Sequence, residues 1–248
     1  MRFEHDLTLR DYLASADETT RDLLSEPNEF VAAAALADKL FAEDLWAGDI
    51  DLPPVPALLA LDAYMVLLSA IRTAMSGHER AIYPLLRTAL ESGCYVHRMV
   101  QEPDLQDVWL NRHSSEQAYK LCRRRFSSAV ADTAKSIGRR EASYGQMIMD
   151  AYDAAIDFGG HPNLRSVLLH TSFSVDERAA FQGVQLVSLY GADSAQVKRA
   201  LVACLDYALA IGLVLIHSLP AASSKGVAAL DDLNSAKLRL AASIQAET

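Results

Sequence analysis

The sequence predicts a mainly α protein, a multi-helix bundle carrying one small β-hairpin insertion. Three observations carry this. About half of the 248 residues are hydrophobic (51%), enough to fill a substantial core. Alanine and leucine dominate over valine, isoleucine and threonine, which favours helix over sheet. Apolar residues recur at spacings of three and four along most of the chain, and the pattern changes only near residues 165–190.

Residues 1–52 form an acidic helical segment, in which "ADETTRDLLSE" and "NEFVAAAALADKLFAEDLW" have helical apolar spacing. "DLPPVP" (Asp51–Pro56) reads as a rigid extended connector, because prolines push their predecessors out of the helical region. The main bundle, residues 57–248, packs with this segment as one unit. "PALLALDAYMVLLSAIRTAMS" is apolar nearly all round and is expected to be a buried helix ended by Gly77. "HERAIYPLLRTALESGCYVHRMVQ" is a second long helix with Pro84 in its first turns. Pro103 and Asp104 reset the chain before the short helix "DLQDVWLNRH".

"SSEQAYKLCRRRFSSAVADTAKSI" reads as one long helix, capped by Ser114 with Gln117 and ended by Gly138. "REASYGQMIMDAYDAAIDF" follows, with Gly159 and Gly160 as left-handed C-caps. "RSVLLHTSFSV" and "AAFQGVQLVSLY", separated by "DER", are richer in β-branched and aromatic residues and suggest the hairpin. "SAQVKRALVACLDYALAIGLVLIHSL" returns to helix, and a more polar helix closes the chain. The apolar run 200–219 has the length of a membrane span. Asp206 near its centre would cost roughly 2.5–3.5 kcal/mol there, so a central helix of a soluble bundle is the better reading.

Cys94, Cys122 and Cys204 are odd in number and lie in apolar contexts, so buried free thiols in a reducing, cytoplasmic setting are expected. The charged N-terminus lacks an apolar signal segment. The net charge of −9 opposes general nucleic-acid binding. It is unevenly spread: residues 1–51 hold 13 acids and 4 bases, and residues 112–140 hold 8 bases and 2 acids. The basic segment, with Arg123, Arg124 and Arg125, either pairs with the acidic N-terminal part or faces an anionic ligand or RNA.

No metal-ligand spacing occurs, so neither a metal nor a cofactor is expected; phosphate-binding glycine loops and a nucleophile elbow are also missing. What remains are ionisable residues inside apolar helices. Arg87 and Glu91 are four apart and share a face. Asp62, Asp206 and His217 interrupt strongly apolar runs and are expected to be buried, with Asp206 and His217 on one stripe. This set reads either as an inter-helix polar network or as a pocket.

"GGHPNLRSVLLH" (Gly159–His170) combines a helix stop with two histidines and Arg165. Arg165-x4-His170 resembles the loose Arg-x4–6-His pattern of HEPN-type ribonucleases, in which the two residues act on RNA at a dimer cleft. In a strand the two side chains would point to opposite faces, and in a helix they would sit about 140° apart, so a second subunit would have to complete the site. More broadly, "YPLLRTALESGCYVHRMVQEPDLQDVWLNRH" with "AYDAAIDFGGHPN" resembles uncharacterised bacterial all-helical proteins related to the HEPN and abortive-infection group. That resemblance ties together Arg87, Glu91, Trp109, His161 and Pro162, and implies a homodimer of defence or stress type with a polar pocket built from Arg87, Glu91 and His161. The alternatives are a metal-independent ribonuclease using Arg165 and His170, and a non-catalytic scaffold.

Overall fold

The computed structural model describes residues 8–46, 51–160, 168, 170–175, 181–219 and 224–246. Helix α1 (Leu9–Ser25) begins at a reciprocal cap, in which the Asp11 amide donates to the Thr8 hydroxyl and the Thr8 amide donates to the Asp11 carboxylate. Helix α2 (Glu29–Lys39) is capped by Asn28 and runs into a wide π turn, Leu40–Asp44. Its Leu40 and Phe41 are fully buried, so the acidic segment shares the main core.

Helix α3 (Pro54–Met75) starts inside the expected connector. Proline is tolerated in a first turn, where its missing N–H has no helical partner, so Pro54 and Pro56 begin the helix. Gly77 ends α3 at a φ of +82°, and a single 3-10 turn (Glu79–Ala81) leads into α4 (Ile82–Gln101), the antiparallel partner of α3. Helix α5 (Asp104–Leu110) is short.

The long helix expected over 114–137 is two helices, α6 (Glu116–Phe126) and α7 (Ala129–Gly138). The serine pair between them breaks the ladder: the Ser127 hydroxyl donates to the Arg124 carbonyl, and the Ser128 hydroxyl donates to Asp132. The cap of α6 is Ser115 rather than Ser114, and it accepts from the Ala118 amide. Helix α8 (Ala142–Ala155) continues through a second π turn, Ile156–Gly160.

Strands β1 (Thr171–Val175) and β2 (Phe181–Leu186) pair antiparallel with an irregularity at Ser174/Val175. The chain joining them, including the expected "DER" turn, lies outside the described residues. Beside the helices this is a minor element, and the architecture is an all-helical bundle. Helix α9 (Ala195–Ile216) runs through its centre against α2, α3, α4, α8 and α10 (Ser224–Ala246), with Leu201, Leu205, Ala208, Ile211 and Leu215 essentially inaccessible.

By length and composition, α3 and α9 are both apolar enough to cross a membrane. Only α9 is surrounded by protein. Helix α3 is not buried all round as its composition suggests: Leu58 and Met65 are each 66% exposed. That outward face explains why Asp62 is exposed, contrary to expectation, while accepting a hydrogen bond from Ser92 on α4 (2.9 Å). Asp206 is not buried either. Its side chain is half exposed and pairs with Lys237 of α10 at 2.9 Å. His217 is half-buried at the end of α9, where Nδ1 donates to the Leu213 carbonyl (2.9 Å) and the ring meets Tyr144 edge-on. The stripe from Asp206 to His217 is therefore two separate surface-proximal contacts, each satisfied by a different neighbour.

Candidate functional site

The α3–α4 corner reads "SGHER". The left-handed Gly77 turns the chain out of α3 and into the short 3-10 turn Glu79–Ala81, which follows His78. Both ring nitrogens of His78 are engaged: Nδ1 with the Ser76 hydroxyl (2.8 Å) and Nε2 with the Tyr12 hydroxyl on α1 (2.6 Å). Burial pushes its pKa below the ordinary value, so the ring is neutral near pH 7.

From the other side comes His170, buried just before β1. Its carbonyl accepts from the Val187 amide beyond β2 (2.9 Å), which fixes its place at the base of the strand pair. Its Nδ1 shares a 2.7 Å hydrogen bond with the Tyr190 hydroxyl and lies 3.6 Å from a Glu79 carboxylate oxygen. Among the described residues its Nε2 has no hydrogen-bond partner. Burial pushes the His170 pKa down, and the positive charge of Arg80 adds to this. The Glu79 carboxyl is itself pushed up by burial, partly offset by Arg199, which weakens it as a counter-charge.

Tyr190 is tied to the corner through its backbone. Its amide donates to the Gly77 carbonyl (3.1 Å), and its carbonyl accepts from Thr19 of α1 (3.4 Å). Tyr12, His78, Arg80, His170 and Tyr190 thus line one cavity of about 370 Å³, with Pro84, Leu186 and Val187 as apolar wall. Gly159 also borders it. A side chain there would meet the Arg80 carbonyl at 2.8 Å and Tyr83 at 3.0 Å, so the glycine permits close approach of α8 to α4. This replaces the left-handed cap expected of Gly159, which stays in the π turn Ile156–Gly160.

The expected Arg87–Glu91 pair is present: Arg87 Nε donates to Glu91 at 2.9 Å. The residue of α8 that joins it is Tyr152, whose hydroxyl accepts from Arg87 (3.1 Å) and whose ring lies beneath the guanidinium. His161, Pro162 and Arg165 lie outside the described residues. Gly159 packs at Arg80 and Tyr83, eight or more residues before Glu91, about 12 Å along α4. A shallow cavity of about 220 Å³ opens beside Arg87, Glu91, Tyr152 and the Ser127–Ser128 break. Trp109 packs partly buried against the core.

Arg123 and Arg124 are exposed, and Arg125 pairs with Glu102 and Asp104, both at 3.1 Å. The acids that answer this part of the basic segment are therefore local rather than N-terminal. Arg125 of α6 reaches Glu102 at the C-terminal end of the 20-residue α4, and none of Arg123, Arg124 and Arg125 lines the His170 cavity at the opposite end. Among the described residues, no group of three or more His, Cys, Asp or Glu side chains could hold a metal ion. The three cysteines are buried free thiols.

His78, Glu79, Arg80, Tyr12 and Tyr190 are the site residues that sequence reasoning passed over. The available signal was three consecutive ionisable residues directly after a helix-ending glycine. No family model matches the chain, and no curated protein or solved structure matches it.

Proposed function

We propose that the chain is a helical binding protein whose site is the His170 cavity, and that its ligand is a small organic anion such as a carboxylate or a phosphate monoester. The observation that carries the reading is His170 itself, a buried neutral histidine held through Nδ1 while Nε2 has no hydrogen-bond partner among the described residues. Perturbed titratable groups converging on a concave site mark a functional candidate. The described lining of the cavity carries hydroxyls, neutral imidazoles and Arg80 but no carboxylate, which suits an anion; Glu79 lies 3.6 Å from His170 Nδ1, and the burial that pushes its carboxyl up weakens its opposing charge. The apolar wall of Pro84, Leu186 and Val187 suits a small organic body.

Calorimetric titration with phenyl phosphate and benzoate, against neutral benzyl alcohol, tests the reading. The anions bind, benzyl alcohol does not, and His170→Ala abolishes the heat. Equal binding of the alcohol, or anion binding unaffected by His170→Ala, refutes it. A bacterial defence or stress setting, a cytoplasmic location and HEPN-like kinship belong to the proposal on the strength of the sequence resemblance and the buried thiols.

One observation favours a second reading, a metal-independent ribonuclease. A histidine oriented by Tyr190 near Glu79 is equipped for proton transfer. Cleavage of single-stranded RNA in the presence of a chelator, lost in His170→Ala, would favour it over simple binding.

A further inference from the structure

A second cavity, of about 590 Å³, is larger than the one at His170. It lies between α8 and α9, with Tyr83 of α4 and Lys237 of α10 completing its wall. The π turn Ile156–Gly160 parts the two cavities: Gly159 borders the one at His170, and Phe158 lines this one. Turns of this kind recur at functional sites, and the volume falls in the range of about 300–1,000 Å³ that small ligands occupy.

The space exists because Ala151, Ala154 and Ala203 carry only a methyl group each where α8 passes α9. Asp150, Ala154 and Phe158 follow at intervals of four and all line the cavity, spanning about 12 Å along α8 with the middle left open. Tyr207 is fixed, because its hydroxyl donates to the Ala151 carbonyl. Tyr83 is not satisfied in this way. Its ring stacks on Phe158 with centroids 5.4 Å apart, and its hydroxyl has no hydrogen-bond partner among the described residues. A buried tyrosine hydroxyl usually finds one. Burial pushes the pKa of this hydroxyl up, and Glu79 adds to the rise, so it stays neutral and can both donate and accept.

The charges are also unbalanced. Asp206 is met by Lys237 at 2.9 Å. Asp150 is met only by the neutral Gln146 side-chain amide, at 2.7 Å, and has no ion-pair partner among the described residues. The charged lining is therefore two carboxylates and one ammonium, with the negative charge of Asp150 in excess.

We infer that this cavity binds a small aromatic amine in its protonated form, the ammonium at Asp150 and the ring over Ala154 toward Phe158 and Tyr83. The ammonium supplies the counter-charge that Asp150 lacks, in a charge-assisted hydrogen bond. The alanine methyls and the two stacked rings give the aromatic body an apolar seat, and aromatic faces attract a cation nearby. An anion would meet the excess negative charge, since Lys237 is already held by Asp206. A neutral aromatic would gain the walls and leave Asp150 as it is. The site is independent of His170, so each reading stands or falls by its own ligand.

Calorimetric titration of the full chain with phenethylamine at pH 7, against 2-phenylethanol, is the test. The amine binds, and the alcohol binds at least tenfold more weakly. Asp150→Asn weakens the amine roughly tenfold. Asp150 is exposed, so that variant keeps its helical circular dichroism. Tyr83→Phe keeps the ring on Phe158, removes the hydroxyl alone and weakens the amine several-fold. His170→Ala leaves amine binding intact. Absence of heat with the amine, equal binding of the alcohol, or amine binding indifferent to Asp150→Asn overturns the proposal. So does loss of amine binding in His170→Ala, which would assign the amine to the other cavity.

Discussion

Gly77 holds Tyr190 at the corner of the His170 cavity through its carbonyl, and replacing it with alanine has a calculable cost. Its φ of +82° is left-handed, which costs an alanine about 1–2 kcal/mol. The added Cβ would also lie 2.2 Å from the Tyr190 carbonyl oxygen and 3.1 Å from a Leu189 methyl, so the 190 segment must move. Overpacking of that kind typically costs about 1–3 kcal/mol, and the stiffer unfolded chain returns about 0.4–1 kcal/mol. The expected net loss is about 2–4 kcal/mol, or roughly 5–12 °C in Tm for a domain of this size. Thermal unfolding followed by circular dichroism measures it. Gly191→Ala is the control, because an added Cβ there meets nothing within 4 Å. Since Tyr190 carries the hydrogen bond to His170 Nδ1, Gly77→Ala should also weaken binding of phenyl phosphate. A Gly77→Ala protein as stable as Gly191→Ala would refute the reasoning.

Further outcomes follow from the same contacts. Asp206→Leu should cost less than about 1 kcal/mol in chemical denaturation, because the Asp206–Lys237 pair is half exposed on its acidic side. Arg87→Ala should cost about 1–2 kcal/mol by the same assay, through loss of hydrogen bonds to Glu91 and Tyr152 and of the ring contact. His97 is buried between the Ser136 and Ser218 hydroxyls, and burial pushes its pKa down to about 4. The unfolded chain then binds the extra proton first, so stability is complete above pH ~6.5 and falls as pH drops toward 4, by up to about 3 kcal/mol. Urea melts at pH 7 and pH 5 should show this fall, and His97→Gln should flatten it. Anion binding at His170 should tighten as pH falls below neutrality, because a bound anion raises the pKa of a neutral imidazole; titration calorimetry across that range measures it.

The helical class and most helix positions were legible because glycine, proline and apolar spacing act locally. Gly77 and Pro103 punctuate the structure where they punctuate the sequence. The break at Ser127–Ser128 was not legible, since serine is tolerated in helices and only tertiary packing decides whether its side chain competes with the ladder. Composition also could not tell α3 from α9. Both are long and apolar, and what separates them is the number of neighbours that cover them. Asp62 is exposed for that reason, although its apolar neighbours in the sequence suggest burial. The site was half legible. Arg87 and Glu91 are four apart and meet by helix geometry alone. Tyr12 with His78, and His170 with Tyr190, meet only because α1 and the strand pair both fold back onto the Gly77 corner, across 66 and 20 residues of chain. In "GGHP", Gly159 proved to be a contact surface for Arg80 and Tyr83, a role that spacing cannot reveal.

The central claim is that His170 is a neutral, oriented imidazole in an anion-binding cavity. An NMR titration of its ring, with and without phenyl phosphate, tests this most directly. A pKa below the ordinary ~6.5 is expected in the free protein, with a rise on adding phenyl phosphate and loss of that rise in Arg80→Gln. A His170 that titrates at the ordinary value and does not respond to the anion would contradict the account.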